Sequence, residues 1–324
     1  MKRFGIFVLS AMLAGLLLLP DRSIAQQKSY PQKPITILVP YGAGGASDQL
    51  ARGLADAAKK HLPQPILVVN RPEASGTRAI ADALASTPDG YTLALGTVAT
   101  LTVQPQRSNV PYGGPDTYVP VAKFVTEHNV LIVRTGAPWK TARQFLDDAR
   151  AHPGTLTVGV PGFATVPHLD IEQLKHLGKI RFQVVSFDAP QQVAAAVRGE
   201  VDAAVAAPGP VVSYVQAHQA IMLGVFDKGR LALAPQVPTF KELGFDVTLG
   251  SMGAIVAPRG TPAYIVTTLN EAIRKAVAEP SFVSFVERTG NTIDYQGPEA
   301  LARELRQAYA ENGELIRDLG LTHK

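Results

Sequence analysis

Apolar and polar positions along this chain alternate between two periods. Short runs rich in β-branched residues at 35–39, 66–69 and 91–95 read as strands. Between them, 47–61 carries Leu50, Leu54 and Ala57 at helical spacing, and 77–85 is a second helix, closed by the turn Pro88-Asp89-Gly90. Strand, helix, strand, helix, strand predicts a parallel sheet wrapped by helices. The same grammar restarts with strands at 129–134, 156–160, 182–185, 201–205 and 220–225. Helices at 141–152, 166–177, 191–198 and 211–218 separate them, the first ended by Pro153-Gly154 and the third by Gly199. A proline-rich link, Ala234-Pro235-Gln236-Val237-Pro238, leads to a strand at 254–257 and two long helices at 262–278 and 298–316. This order predicts two α/β lobes with crossings near Thr126 and Val247, the last helices returning to the first lobe.

The N-terminus sets the expected compartment. Lys2 and Arg3 precede an uncharged apolar run from Phe4 to Leu19, and Ser23-Ile24-Ala25 offers small residues where a signal peptidase reads. The run is shorter than the roughly 20 residues a spanning helix needs. Residues 1–25 therefore read as a cleaved signal peptide, with Gln26 as the new N-terminus. The chain has no cysteine, hence no thiol for a lipid anchor and no disulfide. The segment carries Lys2, Arg3 and Arg22 against Asp21, so its removal takes the formal net charge from +4 to +2. A mildly basic surface without clustered Lys or Arg is a poor nucleic-acid footprint. No second apolar stretch approaches membrane length, and no repeat or low-complexity tract is visible.

The most informative local feature is Pro40-Tyr41-Gly42-Ala43-Gly44-Gly45-Ala46-Ser47-Asp48, which follows the first strand and opens the first helix. Glycines there let the backbone turn tightly and approach a ligand, and amides at a helix start favour an anion. Capping by Ser47 or Asp48 is the plainer role for those two residues, but it leaves three glycines in four positions unexplained. The glycine order is not the G-x-G-x-x-G fingerprint, and no phosphate-loop Gly-Lys-Ser/Thr follows. The second lobe repeats the device: the strand at 156–160 runs into Pro161-Gly162-Phe163-Ala164-Thr165 and a helix containing His168. Two helix starts converging on one cleft suit a small di- or tricarboxylate held at both ends.

Catalytic patterns are sparse. There is no G-x-S-x-G elbow, the seven histidines form no H-E-x-x-H pair, and no carboxylate cluster has calcium-loop spacing. His168 is a ligand contact, a base or a satisfied helix-face histidine. Trp139 reads as packing. No metal and no cofactor are expected.

These residues resemble a known family from Tyr30 to the C-terminus. The resemblance runs through Tyr30-Pro31-Gln32-Lys33-Pro34-Ile35, the loop to Asp48, Asn70-Arg71-Pro72, Pro88-Asp89-Gly90-Tyr91-Thr92-Leu93 and Gly96-Thr97. It continues with Gly162 to Thr165, His168-Leu169, Gly199-Glu200-Val201-Asp202, Val237-Pro238-Thr239 and Ala257-Pro258-Arg259-Gly260-Thr261-Pro262. Each motif alone is weak; their order and spacing identify the chain as similar to the solute-binding proteins of tripartite tricarboxylate transporters, the Bordetella uptake gene (Bug) family. The resemblance implies an α/β, type II periplasmic-binding-protein fold, two lobes joined by a hinge with the ligand cleft between them. Residues 26–126 with 248–324 would form one lobe and 127–247 the other.

It also implies a small carboxylate (an organic, amino or aromatic acid) held by Tyr41, Ala43, Gly44, Gly45, Ser47, Asp48 and Thr97 from one lobe. Gly162, Phe163, Ala164, Thr165, His168 and Asp188 would contribute from the other. The implied partners are inner-membrane permease subunits, with the binding protein a monomer in the periplasm, no enzyme and no nucleic-acid binder. A sensor presenting its ligand to a receptor kinase, or a periplasmic enzyme on the same scaffold, are the alternatives. Three segments depart from the family pattern. Glu73 and Ser75 stand where glycines are usual, Ser186-Phe187-Asp188 replaces a tyrosine-lysine-glycine segment, and the usual tryptophan is missing near Ser251-Met252. Asp188 either caps the helix beginning near Gln191 or faces a nitrogen-bearing ligand.

Intact-mass analysis of the chain exported from a Gram-negative host is expected to give a polypeptide starting at Gln26. A full-length, membrane-bound product would exclude this processing.

Overall fold

The computed structural model describes residues 30–321; the segment read as a signal peptide lies outside them. The chain opens with β1 (Ile35–Val39), α1 (Ala46–Ala58), β2 (Ile66–Asn70), α2 (Thr77–Leu84) and β3 (Thr92–Gly96). β1 lies between β2 and β3 and pairs with both in parallel. β1 and β3 are buried almost throughout, as strands covered on both faces must be, whereas the edge strand β2 alternates and leaves Leu67 and Val69 exposed. A short helix α3 (Gln104–Arg107) leads to the ten-residue β4 (Tyr118–Glu127).

One residue later a second unit of the same kind begins. It comprises β5 (Asn129–Arg134), α4 (Ala142–Ala151), β6 (Thr157–Val160), α5 (Val166–Gly178), β7 (Gln183–Ser186), α6 (Gln191–Arg198), β8 (Ala203–Ala206), α7 (Gly209–Gln216) and β9 (Ala220–Phe226). After an irregular stretch come β10 (Ser251–Pro258), α8 (Ala263–Ala276), α9 (Pro280–Arg288), β11 (Thr292–Gln296) and α10 (Pro298–Asp318).

The strands form two sheets, in the orders β11-β4-β10-β3-β1-β2 and β7-β6-β8-β5-β9. Both contain three parallel strands, followed by antiparallel β10, β4 and β11 in the first sheet and β5 and β9 in the second, and in both the first antiparallel strand is the one entered from the other sheet. The chain passes from the first sheet to the second across His128 alone, and returns between Phe226 and Ser251. This is the expected α/β class with two sheets. In the second core Trp139 meets Phe145 edge-on at 5.1 Å and its indole N–H donates to Asp148 at 2.7 Å, a packing role.

Four elements have no counterpart in the sequence reading: β4, β11, α3 and α9. Pro120 and Lys123 interrupt the apolar alternation of β4, and a proline removes a ladder donor. Pro120 is tolerated because it pairs with Val256 beside a break in register. Lys123 is buried, with Nζ 2.7 Å from both Asp294 on β11 and Glu304 on α10. Burial opposes ionisation of Asp294, but hydrogen bonds from Lys123 and Thr126 outweigh it and hold the carboxyl below its usual range. The charged residue that breaks the pattern thus fastens the C-terminal elements to the first sheet.

Lys123→Met, which keeps the aliphatic packing, leaves Asp294 and Glu304 without their cation. The expected loss is about 2–3 kcal/mol in urea denaturation, below that of a fully buried pair because both carboxylates reach solvent.

Candidate functional site

In α/β sheets ligands bind beyond the carboxyl ends of the parallel strands. Here those ends face one another. A cavity is lined from the first sheet by Tyr41, Gly45, Ser47 and Thr97, which follow β1 and β3. From the second come Pro161 and Thr165 after β6, Ala189, Pro190 and Gln192 after β7, and Ala207 and Pro210 after β8. Glu127, Asn129 and Ser251, where the chain changes sheets, complete the lining. Among the described residues no Lys, Arg or His borders this cavity.

Four helices, α1, α5, α6 and α7, begin at its wall, and none has a side-chain N-cap hydrogen bond. Amides at such helix starts carry partial positive charge toward whatever fills the space between the sheets. Tyr41 Oη lies 3.4 Å from Thr97 Oγ1. Burial, moderated by Thr97 and reinforced by the nearby Glu127, pushes the phenol up to about 12, so it remains a donor.

The glycine loop is braced from within. Asp48 accepts hydrogen bonds from Gly44 N (2.9 Å), Arg52 Nε (3.1 Å) and Asn70 Nδ2 (3.0 Å), and Asn70 also donates to Tyr41 O. Burial opposes the charge on Asp48, but these donors outweigh it and hold its carboxyl below the usual range. Gly44, at φ +80°, supplies the left-handed turn. Gly42 serves closeness: a Cβ there would sit 2.4 Å from the Ala189 carbonyl oxygen of the opposite loop.

The second loop is braced by His168. Ala164, in the left-handed region at φ +55°, donates its N–H to His168 Nδ1 at 3.1 Å, and Phe163 packs edge-on against the imidazole. Burial lowers the His168 pKa to about 4, with Glu172 opposing and Arg107 and Lys175 adding to the fall. The ring is neutral and its Nδ1 is an acceptor. Thr165 Oγ1 closes the turn onto Gly162 O at 2.9 Å.

Of the residues singled out in the sequence, Tyr41, Gly45, Ser47, Thr97 and Thr165 meet on the cavity. Gly162 and Asp188 border an adjoining opening with Tyr41, Glu73 and Ser75. Asp48, Ala164 and His168 are internal braces, Ala43 and Gly44 are exposed on the outer side of their turn, and Phe163 is half-exposed. Asp188 does not cap α6, whose N-cap is Pro190; only its backbone oxygen accepts from Gln191 N, at 2.7 Å.

The sequence reading passed over Glu127, Asn129, Gln192 and Ser251. Glu127 is 5% exposed, its Oε1 is buried with no hydrogen bond from the described residues, and burial pushes its pKa up to about 7. Asn129 Nδ2 donates to Asp170 at 2.7 Å, and burial raises that wholly buried carboxyl well above its usual range. The available sign was a glutamate between two apolar runs, visible only once β4 is known to be a strand. Among the described residues no group of three His, Cys, Asp or Glu could hold a metal ion.

Two facing α/β units with a cavity at their strand ends define the periplasmic-binding-protein class of fold. Comparison with known proteins narrows this. The family model "Tripartite tricarboxylate transporter family receptor" matches residues 50–321, and the chain belongs to that family. A UPF0065 protein of Cupriavidus necator is 31% identical over 98% of this chain and 96% of its own length. A TctC solute-binding protein from Polaromonas is 30% identical, with TM-score 0.67 over 90% of this chain and 100% of its own. MatC of Rhodopseudomonas palustris, solved with bound malate, is 26% identical, with TM-score 0.83 over 89% of this chain and 100% of its own. The family is one of transporter receptors, a periplasmic transporter of known structure is 28% identical, with TM-score 0.87 over 91% of this chain and 99% of its own, and among the described residues no helix is long and apolar enough to cross a membrane.

His168 carries a pH dependence of stability. Its folded pKa lies below the unfolded value near 6.5, so the unfolded chain takes up the proton first and stability falls as pH drops from about 7 toward 4. Between pH 7 and 5 the expected loss from this group is about 2 kcal/mol. Urea denaturation at both pH values checks it, and His168→Gln should flatten that part of the profile.

Proposed function

We propose that this chain captures a small carboxylate between its two lobes and delivers it to inner-membrane permease subunits of a tripartite tricarboxylate-type transporter. The observation that carries the reading is the cavity wall itself, where four helices begin without side-chain caps. Each helix start contributes about 0.3–1 kcal/mol toward an anion, up to ~2 when partly buried, so several together replace the cationic side chain the cavity lacks. Tyr41, Ser47, Thr97 and Thr165 add hydroxyl groups on the same wall. The malate bound by MatC, whose fold this chain shares, supports the ligand class.

In this reading residues 26–126 with 248–324 form one lobe and 127–247 the other, and they close about the crossings at His128 and 227–250. The contact of Gly42 with Ala189 belongs to the closed arrangement. The protein acts in the periplasm, as a monomer, after cleavage behind Ala25.

A thermal-shift screen of organic, amino and aromatic acids identifies the ligand, since binding to the native state raises the melting point by mass action. Small-angle scattering with saturating ligand is expected to show a smaller radius of gyration. Gly42→Ala should hold the lobes apart and weaken binding by about 1–3 kcal/mol, the usual range for overpacking a tight contact. A full acid panel without any melting shift would overturn the reading; binding without compaction would overturn the closure.

A further inference from the structure

The cavity has two chemically distinct sides. Helix starts and the Tyr41 and Ser47 hydroxyls offer donors, whereas Glu127, where the chain changes sheets, and Gln192 in the first turn of α6 offer acceptors. Glu127 lines the cavity and is 5% exposed, and its Oε1 is buried with no hydrogen bond from the described residues. Gln192 borders the same space, and its Oε1 is likewise buried without a partner. Asn129, which also lines the cavity, has its Nδ2 engaged by Asp170.

A buried acceptor without a donor is costly, and a carboxyl more so than an amide, because burial strips its hydration and nothing replaces it. Such groups persist in binding sites when a ligand supplies the missing donor. The walls already suit a carboxylate, so a second carboxylate beside Glu127 would be repelled by the ionised form of that side chain. An ammonium group meets the opposite condition. Its N–H donors match acceptors that lack a partner, and its charge favours and neutralises the ionised form of Glu127.

We infer that Glu127 is a specificity-determining residue that receives a cationic nitrogen, so that the preferred ligand is an amino acid rather than the matching plain acid. This rests on the proposed capture of a small carboxylate and adds which carboxylates are favoured. The departure at Asp188 does not enter, because that side chain borders the adjoining opening.

The test is calorimetry on the mature chain with acids that differ only by the amino group: alanine and propionate, aspartate and succinate, glutamate and glutarate. In at least one pair the amino acid should bind about tenfold tighter or more, the effect of one charge-assisted hydrogen bond. In E127Q that preference should shrink to within about threefold, because the amide removes the negative charge but keeps the shape. Equal or tighter binding of the plain acid in every pair would overturn the inference while leaving carboxylate capture intact. An undiminished preference in a folded E127Q would also overturn it. Failure of both members of all three pairs to bind, together with a flat thermal-shift screen, would remove the carboxylate reading and this inference together. The wild-type preference alone decides the matter if E127Q does not fold.

Discussion

One residue separates the two sheets. Glu127 ends a strand of the first and Asn129 begins a strand of the second, so neither sheet can shift far without moving the other's first residue. His128, between them, is tied at Nδ1 to Asp227 from the end of β9 and at Nε2 to Thr292 Oγ1 of β11, the latter at 3.0 Å. Burial opposes ionisation of Asp227, but the hydrogen bond from His128 outweighs it. A crossing this short places the carboxyl ends of both parallel strand sets opposite one another, and the cavity follows from that. It also puts polar side chains on the floor, because strands that end at the crossing cannot cover them with further sheet.

The loops at the cavity show how charge is used away from the ligand. Asp48 and His168 are the most chemically suggestive side chains in their motifs, and both face inward. Asp48 collects three donors that fix the glycine turn, and His168 accepts the amide of a residue held at positive φ. The N-caps of the two helices are Gly45 and Thr165, and neither supplies a side-chain cap.

Two of the three departures from the family pattern, at Glu73 with Ser75 and at Ser186 to Asp188, border one opening, whereas Met252 is buried in the core of the first unit. Ala74 and Ser75 adopt φ +53°, a region that glycine occupies without the Cβ clash, and a Cβ on Gly162 would lie 3.4 Å from Ser75 Oγ. The strain is local, and Gly76 at φ +87° completes the turn into α2. Glu73, Ser75 and Asp188 together make the adjoining opening polar.

By itself the sequence determined what depends on near neighbours. Alternating apolar runs and alanine-rich helical stretches mark most strands and helices of both units, since period and capping act over a few residues. Both glycine-bearing loops stand out for the same reason, and the order of motifs identifies the family. Tertiary structure alone decided the rest. β4 is a strand despite Pro120 and Lys123, because β10 accepts the irregular register and Asp294 and Glu304, some 170–180 residues onward, neutralise the lysine. Which atoms of each loop face the cavity depends on hydrogen bonds such as those of Asp48 with Asn70, 22 residues apart. Glu127 reads in the sequence as one ordinary acidic residue. Its burial without a partner exists only once two sheets, a hinge crossing and four helix starts enclose it, because desolvation is a property of everything around a group and not of its neighbours in the chain.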